Sequence, residues 1–89
     1  KVMLLHYPLF VDSADEPGGT YWGVEPKPRR RLLKVVKAGR FAMVISGHLH
    51  REMSNKWGRI WMLGALSTAF PVPTESEAIG WTLVRATAR

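Results

Sequence analysis

The sequence contains no cysteine, so disulfide bonds and thiolate metal ligands are excluded from this chain. No apolar run approaches the roughly 18 residues that a membrane-spanning helix needs. The opening segment, KVMLLHYPLF, is too short and too early interrupted by proline for a signal peptide. We therefore expect a soluble, cytoplasmic protein that has no membrane partner.

Acidic residues are scarce, since 7 Asp and Glu stand against 13 Lys and Arg and the formal net charge is +6. This balance favours anionic partners, among them phosphate esters and nucleic acid. The composition is otherwise that of a globular protein, 46% hydrophobic and 22% charged, and 89 residues are enough for one small domain.

The first apolar run, VMLL at residues 2–5, predicts a buried strand that ends at His6. Pro8 cannot donate to a sheet ladder and disfavours helical backbone at the residue before it. The composition then changes to Asp, Ser, Glu, Pro and Gly over residues 12–28, which predicts a long irregular loop. A loop of this length in a small domain is usually functional or mobile.

A helix is predicted from Pro28 to a stop at Gly39, in the stretch PRRRLLKVVKAG. Its apolar positions are expected to face the sheet and its basic positions the solvent. The apolar face consists of Leu32, Leu33, Val35 and Val36, and the basic face of Arg29, Arg30, Arg31, Lys34 and Lys37.

The second apolar run, residues 41–45, predicts another buried strand, which stops at a serine and a glycine before His48 and His50. Strand, helix and strand in this order predict a right-handed crossover between two parallel strands. We expect the segment after the strand to be extended, which places the rings of His48 and His50 on one side of the backbone. All three histidines of the chain, His6 included, then lie at the same edge of the sheet, where open α/β sheets bind ligands.

Hairpin strands are predicted in the remainder of the chain. Gly58 predicts a turn and residues 60–63 a strand, while residues 71–77 predict a polar loop. Alternating apolar and polar residues predict a last strand over residues 80–86. Trp61 and Trp81 are expected to pack in the core.

Three neutral imidazoles at one rigid sheet edge predict a site for a divalent metal ion. Each single histidine has a plainer interpretation as a hydrogen-bonded residue at a strand end. Because His6, His48 and His50 all fall at predicted strand ends, we favour the metal site.

The motif SGHLH at residues 46–50 resembles the G-H-x-H motif of the calcineurin-like metallophosphoesterases, and LHYPL at residues 5–9 resembles the upstream strand-end histidine of that family. The downstream segments GALSTAF and IGWTLVRA are similar to the C-terminal strands of its cyclic-nucleotide phosphodiesterase-like branch. The resemblance implies an α/β fold in which a βαβ crossover is followed by antiparallel strands, as in the C-terminal half of the family's β-sandwich.

The resemblance also implies metal ligands and a reaction. His6 and His48 correspond to ligands of one ion and His50 to a ligand of the other, in a centre of two divalent manganese, iron or zinc ions that hydrolyses phosphomonoesters or phosphodiesters. Tyr21 and Trp22, in the long loop, are our candidates for contacts with the phosphate-ester substrate.

The family's N-terminal motifs, D-x-H, G-D and G-N-H-D/E, are absent from this chain. The acids of the first loop, Asp12, Asp15 and Glu16, are expected to be solvated rather than to bridge metals. We therefore interpret residues 1–89, which begin at a lysine beside an apolar run, as a single partial domain that binds at most one ion and has little or no activity alone. A partner is expected: the missing N-terminal half or a second copy of the chain.

An alternative class of function is a stand-alone basic binding module with structural histidines, which contacts nucleic acid or a protein. The basic face of the helix and Arg40 could form a patch that binds phosphate or nucleic acid. We prefer to interpret these residues as the solvent face of an amphipathic helix.

Overall fold

The computed structural model describes residues 1–70 and 79–87 and contains one helix and one sheet of four strands within those residues. In chain order the elements are β1 (Val2–Leu5), α1 (Pro26–Ala38), β2 (Met43–Ser46), β3 (Met53–Trp57) and β4 (Ile60–Gly64). The chain is therefore a small α/β domain, as the sequence pattern predicts.

The sheet has the strand order β1-β2-β4-β3. β1 pairs with β2 in parallel, with Leu5 opposite Ser46, which confirms the predicted parallel pair across the helical connection. β2 also pairs in parallel with β4, where Ser46 lies opposite Gly64. The carboxyl ends of β1, β2 and β4 therefore meet at one edge of the sheet.

A tight hairpin joins β3 to β4, the one antiparallel pair among the described strands. Trp57 lies opposite Ile60, and Gly58 has a φ of 61°. Left-handed backbone at the first of two turn residues is typical of hairpin turns whose twist matches that of the strands. The predicted turn and the strand after it are confirmed.

One face of the sheet carries the core. Its buried hydrophobic side chains come from β2, β4, the helix and the loop after β1, and they are Leu9, Phe10, Leu33, Val36, Val44, Ile60 and Met62. The two loop residues are as buried as the helix residues, so the first loop is part of the hydrophobic packing on this face.

Among the described residues, 1–70 and 79–87, the opposite face of the sheet carries exposed apolar side chains. Val2 and Leu4 of β1 are 48% and 73% exposed, and Trp61 of β4, which was expected in the core, is 43% exposed. The pairing places Val2 beside Met43 and Met43 beside Trp61, so these residues lie in one row across three strands. We call the apolar side chains of this side of β1, β2 and β4 the open face.

The helix differs from its prediction in its start and in its faces. It begins at Pro26 rather than Pro28. Val35, predicted to be on the apolar face, is 53% exposed, whereas Arg29, predicted to be in solvent, is only 2% exposed. The positions 29, 33 and 36 follow the i, i+4, i+7 spacing of one helix face, which explains why Arg29 is turned towards the core with Leu33 and Val36.

The helix ends where the sequence predicts, but its left-handed residue is Arg40 rather than Gly39. The amides of Arg40 and Phe41 donate to the carbonyls of Lys37 and Val36, which is the hydrogen-bond pattern of a Schellman motif. Arg40 has a φ of 54°. Gly39 has a right-handed φ of −78°, and a Cβ there would lie 2.7 Å from the Phe41 ring, so the glycine is needed for close packing.

The predicted strand over residues 80–86 is wrong, because residues 79–87 have no regular secondary structure. Trp81, expected in the core, is 75% exposed. The alternation there does not correspond to a buried face, since residues 81–87 are all exposed. The predicted loop over residues 71–77 lies outside the described residues. Within residues 1–70 and 79–87, no helix has the length and apolar composition needed to cross a membrane.

Candidate functional site

The carboxyl-end edge of the parallel strands brings His6 next to the segment after β2. The Gly47 amide donates to the His6 carbonyl at 3.0 Å, and the Ala65 amide donates to the Ser46 carbonyl at 2.9 Å, so the hydrogen bonding of the sheet continues just past the strand ends. These contacts position His6 and His48 on a rigid support.

The His48 Nδ1 and His6 Nε2 atoms lie 3.2 Å apart. Two nitrogens that bind one zinc ion at about 2.0–2.1 Å with a tetrahedral angle are separated by about 3.3 Å. The observed spacing therefore fits two ligands of a single divalent ion. Without an ion, the same spacing is that of a hydrogen bond between the two rings.

The Tyr21 carbonyl selects the tautomer of His48. His48 Nε2 lies 2.8 Å from this oxygen. A carbonyl oxygen only accepts, so the hydrogen bond requires a proton on Nε2 and, in the neutral ring, leaves the lone pair on Nδ1. That lone pair is on the nitrogen next to His6. A carbonyl that receives the second N–H of an imidazole is the usual outer partner of a metal-binding histidine.

The backbone is strained at His48 and at His50, which are separated by Leu49. His48 and His50 have φ values of 64° and 54°. The Leu49 amide donates to the Gly47 carbonyl at 2.6 Å, which closes a three-residue turn centred on His48. The expectation of an extended segment with both rings on one side is therefore wrong. Residues other than glycine are uncommon in the left-handed backbone region, and such strain concentrates at functional sites.

His50 lies in a different environment from the His6–His48 pair. Its Nδ1 is 3.1 Å from the Phe70 carbonyl, and the two rings have centroids 4.6 Å apart. The acceptor oxygen requires a proton on Nδ1 and leaves the neutral ring a lone pair on Nε2. Leu49, between the two histidines, is buried at 1% exposure and fixes the turn to the domain.

Aromatic side chains surround His48. Tyr7, Tyr21 and Trp22 have ring centroids 4.0, 4.6 and 6.0 Å from the imidazole. All three are exposed, so together with His48 they form an open aromatic wall beside the histidine pair. The structure thus brings Tyr21 and Trp22, which the sequence selects as substrate contacts, to the predicted metal ligands. Tyr7 was missed, although it directly follows His6.

No group of three or more His, Asp or Glu side chains in the described part of the chain is arranged to hold a metal. The pair of His6 and His48 can supply two imidazole nitrogens to an ion, which leaves its other coordination positions to further ligands. The assignment of His6, His48 and His50 as ligands remains a prediction.

Arg29 fixes the first loop, and sequence reasoning missed it. Its guanidinium donates to the Val24 carbonyl from Nε and Nη2, and to the carbonyls of Ala14 and Glu16 from Nη1 at 3.0 and 2.6 Å. These bonds satisfy a buried charge with backbone oxygens. The loop that carries Tyr21 and Trp22 is thereby attached to the helix, and the signal in the sequence is the 29, 33, 36 spacing.

Glu16 is the second missed residue, and the expectation that it is simply solvated is wrong. It is partly buried, and its carboxylate accepts hydrogen bonds from the amides of Val11, Asp12 and Ser13. Partial burial raises the pKa of Glu16, but these amides and the positive charge of Arg29 outweigh it, so the pKa is below its usual value. The S-x-x-E spacing of residues 13–16 is the signature of this arrangement. Asp12 and Asp15 are exposed, as expected.

Comparison with known proteins gives no relative for this chain: no family model, no curated protein and no solved structure matches it.

Proposed function

We propose that this chain is the C-terminal part of a metal-dependent phosphoesterase domain, similar to the calcineurin-like metallophosphoesterases, and that His6, His48 and His50 supply imidazole ligands to its metal centre. Hydrolysis of a phosphomonoester or phosphodiester is the reaction of the complete domain. The domain is an α/β unit corresponding to the C-terminal half of the family's β-sandwich.

The observation that carries the proposal is the pairing of His6 Nε2 with His48 Nδ1 at 3.2 Å, together with the Tyr21 carbonyl 2.8 Å from His48 Nε2. The two ring nitrogens have the spacing of neighbouring ligands, and the carbonyl leaves the His48 lone pair on the correct one. The strained turn at His48 is a further support, because an ordinary strand end does not need it.

His50 is proposed as a ligand of a second ion. Its Nδ1 is held by the Phe70 carbonyl, which leaves Nε2 as the ligand atom. It takes part only when the carboxylates of the other half are present, because neutral imidazoles do not offset the repulsion between two dications. The isolated chain therefore binds at most one ion.

The open face supports a partial domain. An apolar row across β1, β2 and β4 is unusual on the surface of a complete domain and is the kind of surface that a second sheet or a partner covers. The missing N-terminal half or a second copy of the chain is the proposed partner.

When bound, divalent ions in such a centre activate water and neutralise charge on the phosphoryl oxygens. The residues of this chain orient the ligands and the substrate. The aromatic wall of Tyr7, Tyr21 and Trp22 excludes water from one side of His48 and offers rings to the organic part of a phosphate ester.

The test is the melting temperature of the 89-residue chain with zinc or manganese at pH 7.5. A metal that binds only the folded state stabilises it, and at ten times its Kd the expected rise is about 5–10 °C. His48→Asn should abolish the rise, because asparagine tolerates the left-handed backbone of residue 48 but removes the imidazole.

His50→Asn is the matched control, since it makes the same substitution in the same backbone conformation two residues away. It should keep the zinc-dependent rise. Equal rises in wild type and His48→Asn would reject the metal site and favour a binding module with structural histidines. Two tight sites in a calorimetric titration would contradict the limit of one ion. Efficient hydrolysis of bis(p-nitrophenyl) phosphate by the chain alone would contradict the expectation that the chain has little or no activity without a partner.

A further inference from the structure

The edge of the sheet that carries His6 and His48 is called the histidine edge. A recess lies at the other end of the parallel strands, next to the C-terminal end of the helix. It has a volume of about 810 Å³ and is formed by the α1 C-terminus, the two residues that precede β2 and the β3–β4 hairpin. Its lining residues are Lys37, Arg40, Phe41, Ala42, Trp57, Gly58, Arg59 and Ile60. We call this recess the basic groove.

Among the residues that the structure describes, the lining of the basic groove contains three cations and no acid. Lys37, Arg40 and Arg59 are all exposed, so their charged groups remain available to a ligand. Lys37 and Arg40 come from the C-terminal end of the helix and Arg59 comes from the hairpin turn, so two elements distant in sequence converge on one concave surface. A concave surface of one charge sign concentrates anions.

The basic character continues along the helix. Lys27, Arg30, Lys34 and Lys37 are exposed and follow the spacing i, i+3, i+7, i+10, which places them on one side of α1. At 1.5 Å per residue this stripe is about 15 Å long, and its last member lines the basic groove. A stripe of that length exceeds what a single phosphate needs and fits a polyanion.

Aromatic rings supply the other half of the recognition. Phe41 and Trp57 line the groove and are only partly buried, since each also packs against the core. Core packing restricts both rings, and the Lys1 ammonium lies 5.6 Å from the centroid of the Phe41 ring, which adds a further cation beside the aromatic surface. Fixed rings among cations are the pattern that binds unpaired bases by stacking and their phosphates by charge.

Arg40 adds an independent observation. It occupies the left-handed position of the Schellman motif, with a φ of 54°, where glycine is the favoured residue. An arginine at this position is less favourable for the helix end than a glycine. A charged side chain in a strained conformation at a groove indicates a role in binding.

We propose that the basic groove and the helix stripe bind single-stranded nucleic acid, with phosphates on Lys37, Arg40 and Arg59 and bases on Phe41 and Trp57. The sequence alone favours a solvated helix face. The basic groove favours a binding surface over a merely solvated helix face, because it adds a cation from the hairpin and two aromatic rings that helical periodicity does not reveal. This site is separate from the histidine edge, and it does not depend on the proposed phosphoesterase function.

The test is the fluorescence anisotropy of a labelled 12-nucleotide oligothymidylate with the 89-residue chain in about 0.1 M salt. Arg40→Gly is the informative variant, because it should raise the melting temperature by relieving the left-handed strain while it weakens binding. Loss of one phosphate contact on a single strand corresponds to about fivefold in affinity at this salt concentration. Arg85→Gly, the same substitution at an exposed position outside the groove, should change affinity less than twofold.

Arg59→Glu should weaken binding more than Arg40→Gly, since it adds repulsion to the loss of a contact. Equal affinities for wild type and Arg40→Gly, or equal losses in Arg40→Gly and Arg85→Gly, would overturn the proposal. A duplex of the same length or a 12-residue polyglutamate bound as tightly as oligothymidylate would also overturn it, because neither offers unpaired bases.

Discussion

His6 and His48 are separated by 42 residues in the chain, yet His6 Nε2 and His48 Nδ1 are 3.2 Å apart. The parallel pairing of β1 with β2 produces this contact, because Leu5 and Ser46 are register partners and each histidine follows shortly after its strand. The Tyr21 carbonyl then determines which nitrogen of His48 faces its partner.

The first prediction concerns the tautomers of the neutral histidines. We expect His48 to carry its proton on Nε2 and His50 on Nδ1, because each of these nitrogens faces a backbone carbonyl that can only accept. Nitrogen-15 NMR spectra of the imidazoles at pH 8 distinguish the two forms. The histidines act as internal controls for each other, and finding both in the same tautomer would contradict the geometry.

The second prediction is the pH dependence of metal stabilisation. Metal binding needs an unprotonated ring nitrogen, so protons compete with the ion, and imidazole groups usually titrate near pH 6.5. The zinc-dependent rise in melting temperature should therefore be complete at pH 7.5 and fade below about pH 6. The metal-free chain measured at each pH is the reference, and an unchanged rise at pH 5 would argue against histidine ligands.

The third prediction concerns Glu16. The pKa of Glu16 is lowered in the folded chain, so its contribution to stability is present above the unfolded pKa of about 4.5 and is lost as the pH falls through the folded value. Glu16→Gln should lower the free energy of unfolding by about 1 kcal/mol at pH 7. The difference from wild type should shrink as the pH falls below about 4, and urea unfolding at pH 7 and pH 3 measures it.

Asp15→Asn is the matched control for Glu16→Gln, since Asp15 is exposed and its carboxylate is not among the acceptors of the loop. Its effect should stay within about 0.5 kcal/mol at both pH values. A loss in Asp15→Asn as large as that in Glu16→Gln would show that general charge, rather than the amide bonds, sets the stability.

The fourth prediction concerns Arg29, whose guanidinium holds the loop carbonyls of Ala14, Glu16 and Val24. Arg29→Met leaves these acceptors without their donor and should lower the free energy of unfolding by about 2–4 kcal/mol. Arg30→Met, at the exposed neighbouring position, should change it by less than about 0.5 kcal/mol. Similar losses in the two variants would refute the role of Arg29.

The fifth prediction concerns the open face. Leu4 is 73% exposed in an apolar row, so we expect the chain to self-associate, and Leu4→Lys should shift it towards monomer in sedimentation velocity. Val35→Lys is the control, because Val35 is an exposed apolar residue on the helix instead of the sheet. A monomeric wild type, or an equal effect of both variants, would contradict an association through the open face.

The fold could be predicted where one local pattern dominated. The apolar runs of β1 and β2 and the amphipathic helix α1 gave the parallel pair. β3 was not delimited, because MSNKW contains polar residues of low strand propensity, and its position depends on pairing with β4. Residues 80–86 show the reverse case, in which alternation is present but no strand within residues 1–70 and 79–87 pairs with it.

The candidate site was predictable only in its location. Sequence order placed His6 and His48 at one sheet edge, but the strained turn and the Tyr21 carbonyl depend on contacts between distant segments. The sequence did not predict that Arg29 holds the first loop, because its charge alone led to the expectation that it is exposed. Its position nevertheless follows the spacing of the buried face of the helix. Charge predicts exposure less well than spacing when backbone acceptors are within reach.

The pairing order of the sheet also sets an order of folding events. The hairpin of β3 and β4 has a two-residue turn and closes in microseconds, whereas β1 reaches β2 only after residues 6–42 have been arranged. We expect β1 to join late, so that Met3→Ala accelerates unfolding with little effect on the folding rate, while Ile60→Val slows folding. The two rings of His6 and His48 then meet only in the final step, and stopped-flow kinetics of these variants can measure it.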